Sequence, residues 1–333
     1  MPDRETTTET LEEEKQPRQT ALAAPAVLTI DLEDYYQVSA FKGTVRPEDW
    51  SWYPSRVERN VERLLDMLDE YGVKATWFTL GWEASRRGAM VRKVVERGHE
   101  VACHSYWHRE VWRLAPDEFA KDTRDAKQAV EDAAGVAVTG YRAPSFSIRN
   151  DSLWALSVLA EAGFTYDSSI FPVYHPNYGI PKAPHRPYVI ETRQGSLVEL
   201  PPATAPLFGR RMAVAGGAYM RHFPISVIER SLRGLTRREQ LPAIIYLHPW
   251  EIDPRQPRLK VSLATRLRHY RGLSKMEKRL RRLLGSMEFV TAGELAAQTV
   301  ALPHLSLDGL RALAPDRVEP RPTTQASPAR PPV

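Results

Sequence analysis

The sequence predicts a (β/α) barrel of seven to eight strands. Three observations lead there. Short apolar runs alternate with amphipathic stretches through the middle of the chain, the mark of a parallel α/β architecture. Seven or eight such units occur with no internal repeat and no long Gly/Ser linker, which favours a closed barrel over an open sheet. Five of the eight apolar runs also deliver an ionisable group at the C-terminal end, where barrels collect their reactive side chains.

The runs, in order, are VLTI (27–30), KATWFTL (74–80), EVAC (100–103), VTGYR (138–142), FTYD (164–167), SLVEL (196–200), PAIIYL (242–247) and EFV (288–290). The first intervening helix is expected over 55–72, with Val57, Val61, Leu64, Leu65 and Leu68 on one face and Gly72 as its stop. Further helices are expected over 89–98, 116–135 and 151–163, ending at Gly98, Gly135 and Gly163. Residues 173–193 are Pro- and aromatic-rich and read as a long functional loop. Residues 255–282 carry eleven Lys/Arg and one acid, Glu277. Their second half, 274–284, reads as a basic amphipathic helix, a solvated face or a peripheral contact with the anionic inner face of a membrane.

Composition bounds the rest. Of 333 residues, 26% are charged and 42% hydrophobic, as in ordinary globular proteins. A net charge of +5 is too mild to indicate nucleic acid. One cysteine excludes a disulfide framework and a Cys-rich metal site. No apolar run reaches the length of a transmembrane helix. Residues 1–24 are polar and acidic without a signal-peptide pattern, and 314–333 are Pro-rich. Both are expected to be disordered tails around a folded unit at 25–313, in a protein expected to stay in the cytoplasm.

The strand ends carry the chemistry. TIDLED (29–34) places Asp31, Glu33 and Asp34 within four positions, and such mutual repulsion needs a compensating cation. HSYWH (104–108) spaces His104 and His108 four apart, so that on a helical turn both reach one metal. Two imidazoles and a carboxylate make an open Zn²⁺ site with room for water, although other divalent first-row metals also suit these ligands. Arg142, in a stiff Pro-bearing turn, is placed to hold a carboxylate of the acidic cluster in its ionised form. His248 follows a strongly apolar strand and suits general acid or base work. Asp167 either orients it or caps a turn. Together these parts fit metal-assisted hydrolysis.

The set TIDLED, HSYWH, RAPS, TYDSS and YLHPW resembles the polysaccharide deacetylase family (the NodB homology, or carbohydrate esterase family 4, group) from about Leu28 to Ala296. DLEDYYQVSAF, YRAPSFSI, YDSSIFP and LHPWEIDP look like its subgroup encoded with exosortase-linked exopolysaccharide loci. The resemblance implies a distorted (β/α) barrel of the deacetylase type, a divalent metal, usually zinc, and release of acetate from N-acetylhexosamine of a glycan or lipid-linked oligosaccharide. Carried over, Asp31 is the base, His104 and His108 are metal ligands, Arg142 is the partner of the base, His248 is the acid, and Asp167 tunes His248. Three departures stand out. The family's adjacent Asp pair is Asp-Leu-Glu-Asp here, which leaves Glu33 or Asp34 as the metal carboxylate. Its Arg-x-Pro-Tyr is Arg-Ala-Pro-Ser. Many members are exported, and this chain shows no signal. The rival readings are a small-amide hydrolase on the same barrel and an inactive glycan-binding barrel.

Aromatic residues expected near the barrel mouth (Tyr35, Tyr36, Trp50, Trp52, Tyr53, Tyr106, Trp107, Trp112 and Trp250) form either a sugar-stacking groove or core packing. Cys103 is expected to be an inert buried thiol.

Overall fold

The computed structural model describes residues 23–313 apart from 176, 208 and 299–301. The expected tails therefore fall almost wholly outside the described residues. The eight apolar runs all become strands: β1 (Ala26–Leu32), β2 (Thr76–Thr79), β3 (Glu100–Cys103), β4 (Gly140–Tyr141), β5 (Tyr166–Asp167), and, later in the chain, β7 (Gly195–Glu199), β10 (Ala243–Leu247) and β11 (Phe289–Val290). Four short strands were not expected: β6 (Tyr188–Thr192), the β8–β9 hairpin (Thr204–Leu207 and Arg210–Ala213) and β12 (His304–Ser306). The main sheet runs β10-β1-β2-β3-β4-β5-β7-β6-β12, with β11 also on β1. All pairings in it are parallel except β6 with β7.

Every residue of β1 is buried, as a parallel strand covered on both faces requires. Between β7 and β10 there is no ladder. Irregular chain bridges this gap through Ala203 N–H to the Ile244 carbonyl at 2.9 Å and Tyr246 N–H to the Ala215 carbonyl at 2.9 Å. Pro201 and Pro202 lack the N–H donors a strand would need there, which accounts for the distortion of the barrel.

The expected helices form over Val57–Glu70, Gly88–Glu96, Pro116–Ala134 and Trp154–Glu161, and the four stop glycines all have φ between +63° and +80°. The long loop is shorter than expected, because β6 occupies its last residues. Tyr188 and Ile190 of β6 are buried while Glu191 is exposed, an alternation that the preceding prolines obscure in the sequence. The basic helix forms over Leu273–Leu284 and buries Leu273, Met276, Leu280, Leu283 and Leu284, so its apolar face is packed on the protein. A further helix precedes it at Leu263–Tyr270.

Strand β4 is only two residues long, yet it aims Arg142 into the barrel. A Cβ at Gly140 would lie 2.0 Å from the Tyr166 ring. Gly140→Ala is therefore expected to cost about 1–3 kcal/mol by overpacking, read as a lower midpoint in denaturant unfolding.

Candidate metal centre and active site

The three carboxylates after β1 separate onto different partners. Asp31 and Glu33, two positions apart, both face the mouth, and both are buried. Asp34 turns away. Its oxygens accept from Tyr35 N–H at 2.8 Å, Ser55 Oγ at 2.8 Å, Arg56 N–H at 2.7 Å and Val57 N–H at 3.1 Å. It thus caps the helix that begins at Val57, where free N–H groups and the helix dipole favour an anion. Of the two carboxylates the sequence left open as a ligand, the structure brings only Glu33 to the histidines.

His104 and His108 are not on a helical turn. They sit in a loop after β3 in which Ser105 (φ 67°) and His108 (φ 51°) are left-handed, and this bend brings the two rings to 5.4 Å between centroids. Asp122 holds the loop by accepting from Tyr106 N–H at 2.9 Å. One ligand atom each from Glu33, His104 and His108 can be chosen so that all lie within 4.8 Å of one another. His104 Nδ1 lies 2.8 Å from the Arg142 carbonyl, so a proton there is donated and Nε2 is left for a metal. His108 Nε2 is 3.0 Å from Glu33 Oε2, yet that oxygen and His108 Nδ1 are buried without a hydrogen bond. A cation is the partner that such a set lacks. Burial lowers the pKa of His104 to about 4, which keeps the imidazole neutral as a ligand must be. Burial alone would raise Glu33, but the surrounding imidazoles, His108 foremost, hold it down to about 2.

Arg142 is fully buried. It donates to Asp31 Oδ1 and Thr29 Oγ1, each at 2.7 Å, to Ser168 Oγ at 2.9 Å and to the Ser168 carbonyl at 3.2 Å. Its guanidinium lies over Phe78, 4.1 Å from the ring centroid. Asp31 Oδ2 is left facing His248 Nε2 at 3.8 Å. The same nitrogen is 3.4 Å from Glu33 Oε1. The His248 side chain is 20% exposed, the most open of the group and the one placed to meet a substrate.

Asp167 does not reach His248. It accepts from Ser169 Oγ at 2.5 Å and lies opposite Glu199 in the β5–β7 register. Burial raises the pKa of Asp167 to about 6, and burial together with the charge of Asp167 raises that of Glu199 well above the ordinary carboxylate value. The group on His248 is Glu251, whose Oε2 is 3.2 Å from Nδ1, while Arg221 Nε donates to Glu251 Oε1 at 2.7 Å. Burial by itself would lower His248, but the hydrogen bond to Glu251 and the charges of Glu33, Glu251 and Asp31 raise it to about 9. Sequence reading missed Glu251 and Arg221. The signal for Glu251 was present: an acid three positions after His248, with Pro249 opening the turn, is the spacing of a capping box. No local pattern marks Arg221.

Four of the nine aromatics expected near the mouth are core, and Tyr53, Tyr106 and Trp112 are half-buried. Tyr35, Tyr36, Trp50 and Trp250 pack with Phe41 and Tyr270 in one buried cluster. Trp52 and Trp107 remain exposed, at 72% and 36%. Cys103 is buried, and burial pushes its thiol up to about 12.

Residues 49–166 match the polysaccharide deacetylase family, and residues 168–297 match a domain of unknown function, DUF3473. The chain is 28% identical over 133 residues to a peptidoglycan deacetylase of Helicobacter pylori, a match covering 40% of this chain and 44% of that protein. It is 30% identical over 97 residues to a chitooligosaccharide deacetylase of a Bradyrhizobium species, covering 29% and 42%. A bifunctional xylanase/deacetylase of Pseudobutyrivibrio xylanivorans is 35% identical over 89 residues, covering 26% and 15%. The chain thus spans less than half the length of these curated relatives. A crystal structure from Mycobacterium smegmatis, described as of the polysaccharide deacetylase type, superposes with a TM-score of 0.56 at 20% identity over 92% of this chain and 100% of that one. The fold is that of the deacetylase barrels. The chain is thus similar to polysaccharide deacetylases over residues 49–166 and to DUF3473 over residues 168–297.

Three outcomes follow. Glu33→Ala and His104→Ala are expected to weaken uptake of an added divalent metal, measured by elemental analysis after dialysis. Asp34→Ala is expected to keep it while losing about 1–2 kcal/mol of stability with its cap. In metal-free protein, Glu251→Gln is expected to move the His248 titration from about 9 toward the ordinary 6.5, followed by NMR.

Proposed function

We propose that the chain is a zinc-dependent N-deacetylase that removes acetyl from N-acetylhexosamine units of a glycan or lipid-linked oligosaccharide. The observation that carries this reading is the convergence on one mouth of Glu33, His104 and His108 with two further groups, Asp31 and His248, whose facing atoms are 3.8 Å apart. Glu33, His104 and His108 would hold the metal, which when bound would supply polarisation of the acetamide carbonyl and acidification of water. Asp31 Oδ2 is free to accept the water proton, since Oδ1 is engaged by Arg142. His248, protonated and oriented by Glu251, gives its proton to the departing amine. Atoms balance as acetate plus free amine. Arg142 fixes Asp31 in place, and its own carbonyl aims His104.

The curated relatives act, by their names, on peptidoglycan and chitooligosaccharide, and the glycan substrate is proposed by likeness to them. The exopolysaccharide-locus motifs support a role in exopolysaccharide biosynthesis, in the cytoplasm or at the inner face of the membrane.

The test is acetate release from N-acetylglucosamine oligomers and from an N-acetylated lipid-linked sugar, using metal-stripped protein with and without Zn²⁺. Zinc-restored release is expected. Asp31→Asn should retain zinc and lose about 10²–10⁴ in kcat. Tight metal binding without release would move the substrate to a smaller amide. Loss of zinc from Asp31→Asn would overturn the assignment of the base.

A further inference from the structure

The DUF3473 region carries a surface that the hydrolytic site does not use. Helix Leu263–Tyr270 turns His269 and Tyr270 inward, where the His269 ring stacks on Trp250 at 4.2 Å and Trp250 stacks on His248 at 5.2 Å. Leu263 and Leu267, one turn apart toward the other end of the helix, are 70% and 56% exposed. Around them Lys260, Arg266, Arg268 and Arg271 are exposed and form no ion pair among the described residues. No acid lies between Asp253 and Glu277 in the sequence. The neighbouring helix Leu273–Leu284 uses its leucines for the core, so an outward leucine face is not a general property of this region.

We propose that the helix Leu263–Tyr270 is an interfacial anchor for an anionic lipid bilayer, with Leu263 and Leu267 entering the acyl boundary and the four cations meeting the headgroups. The pairing of features decides the partner. Basic side chains alone would suit any polyanion, but two adjacent exposed leucines gain nothing from a soluble polyanion and gain apolar burial in a membrane. The helix is also rigidly tied to the site. Arg221, which holds Glu251, donates to the carbonyls of Arg268 at 3.3 Å, His269 at 2.6 Å and Arg271 at 3.1 Å. A helix docked on a bilayer therefore sits a few side chains from His248, within reach of a substrate carried at that surface. The anchor does not depend on the deacetylase reading, since binding is measured without turnover.

The experiment is co-sedimentation of the full chain with phosphatidylcholine vesicles, with and without phosphatidylglycerol. Binding is expected only to the anionic vesicles. Leu263→Ser/Leu267→Ser and Lys260→Glu/Arg266→Glu, all at exposed positions, should each weaken it about tenfold or more, with zinc content unchanged. Unchanged binding in the leucine variant, with equal competition by heparin, would reassign the surface to a soluble polyanion and overturn the anchor. No binding to anionic vesicles at low salt would also overturn it. So would a dimer that dissociates in the leucine variant, which would make this face a contact between two copies.

Discussion

The buried guanidinium of Arg142 is the interaction on which the rest of the site depends. A charge held out of water is costly unless its donors are matched, and here they meet Asp31, Thr29 and Ser168 while Phe78 covers one face. Those partners come from β1 and from the chain just past β5, so one side chain from the end of β4 ties three positions around the barrel. Its backbone adds a fourth tie, since the Arg142 carbonyl receives the His104 ring. The residue whose side chain holds Asp31 thus also sets, through its carbonyl, where the His104 ring points.

Three carboxylates in four positions are stable because each meets a different kind of positive field. Asp31 has a permanent cation, Glu33 has imidazoles, and Asp34 has the N-terminus of the helix at Val57. Separating them in this way lets one acid remain a free acceptor, one face the histidines and one stabilise the fold. The buried Asp167–Glu199 pair differs: burial raises both carboxyl pKa values in spite of the nearby charge of Arg142, and each acid raises the cost of ionising the other.

The site draws on both matched regions and on the chain before them. Residues 49–166 bring His104, His108 and Arg142, and residues 168–297 bring His248, Glu251 and Arg221. Asp31 and Glu33 lie upstream of both. β1 joins them, pairing with β2 on one side and β10 on the other. The DUF3473 region is therefore part of the barrel that completes the constellation, and its outward helix is fastened to the same arginine that steadies His248.

Strand positions, helix stops and the residues that reach the mouth were legible in the sequence because they depend on local rules. Apolar runs of four to eight residues, glycine at left-handed stops and ionisable groups after strands need no knowledge of partners. Asp31, Glu33, His104, His108, Arg142 and His248 all reach the mouth for that reason. Which acid serves which partner was decided only by the tertiary structure. Asp34 differs from Glu33 by one position, and that step turns it onto a helix end 21–23 residues away in sequence. Glu251 displaces Asp167 beside His248 because a tight proline-led turn, and not the strand-end rule, sets its reach. Arg221 could be found only after folding, since its contacts lie 30–50 residues away. Electrostatic pairing across a barrel acts through space, and sequence spacing carries no record of it.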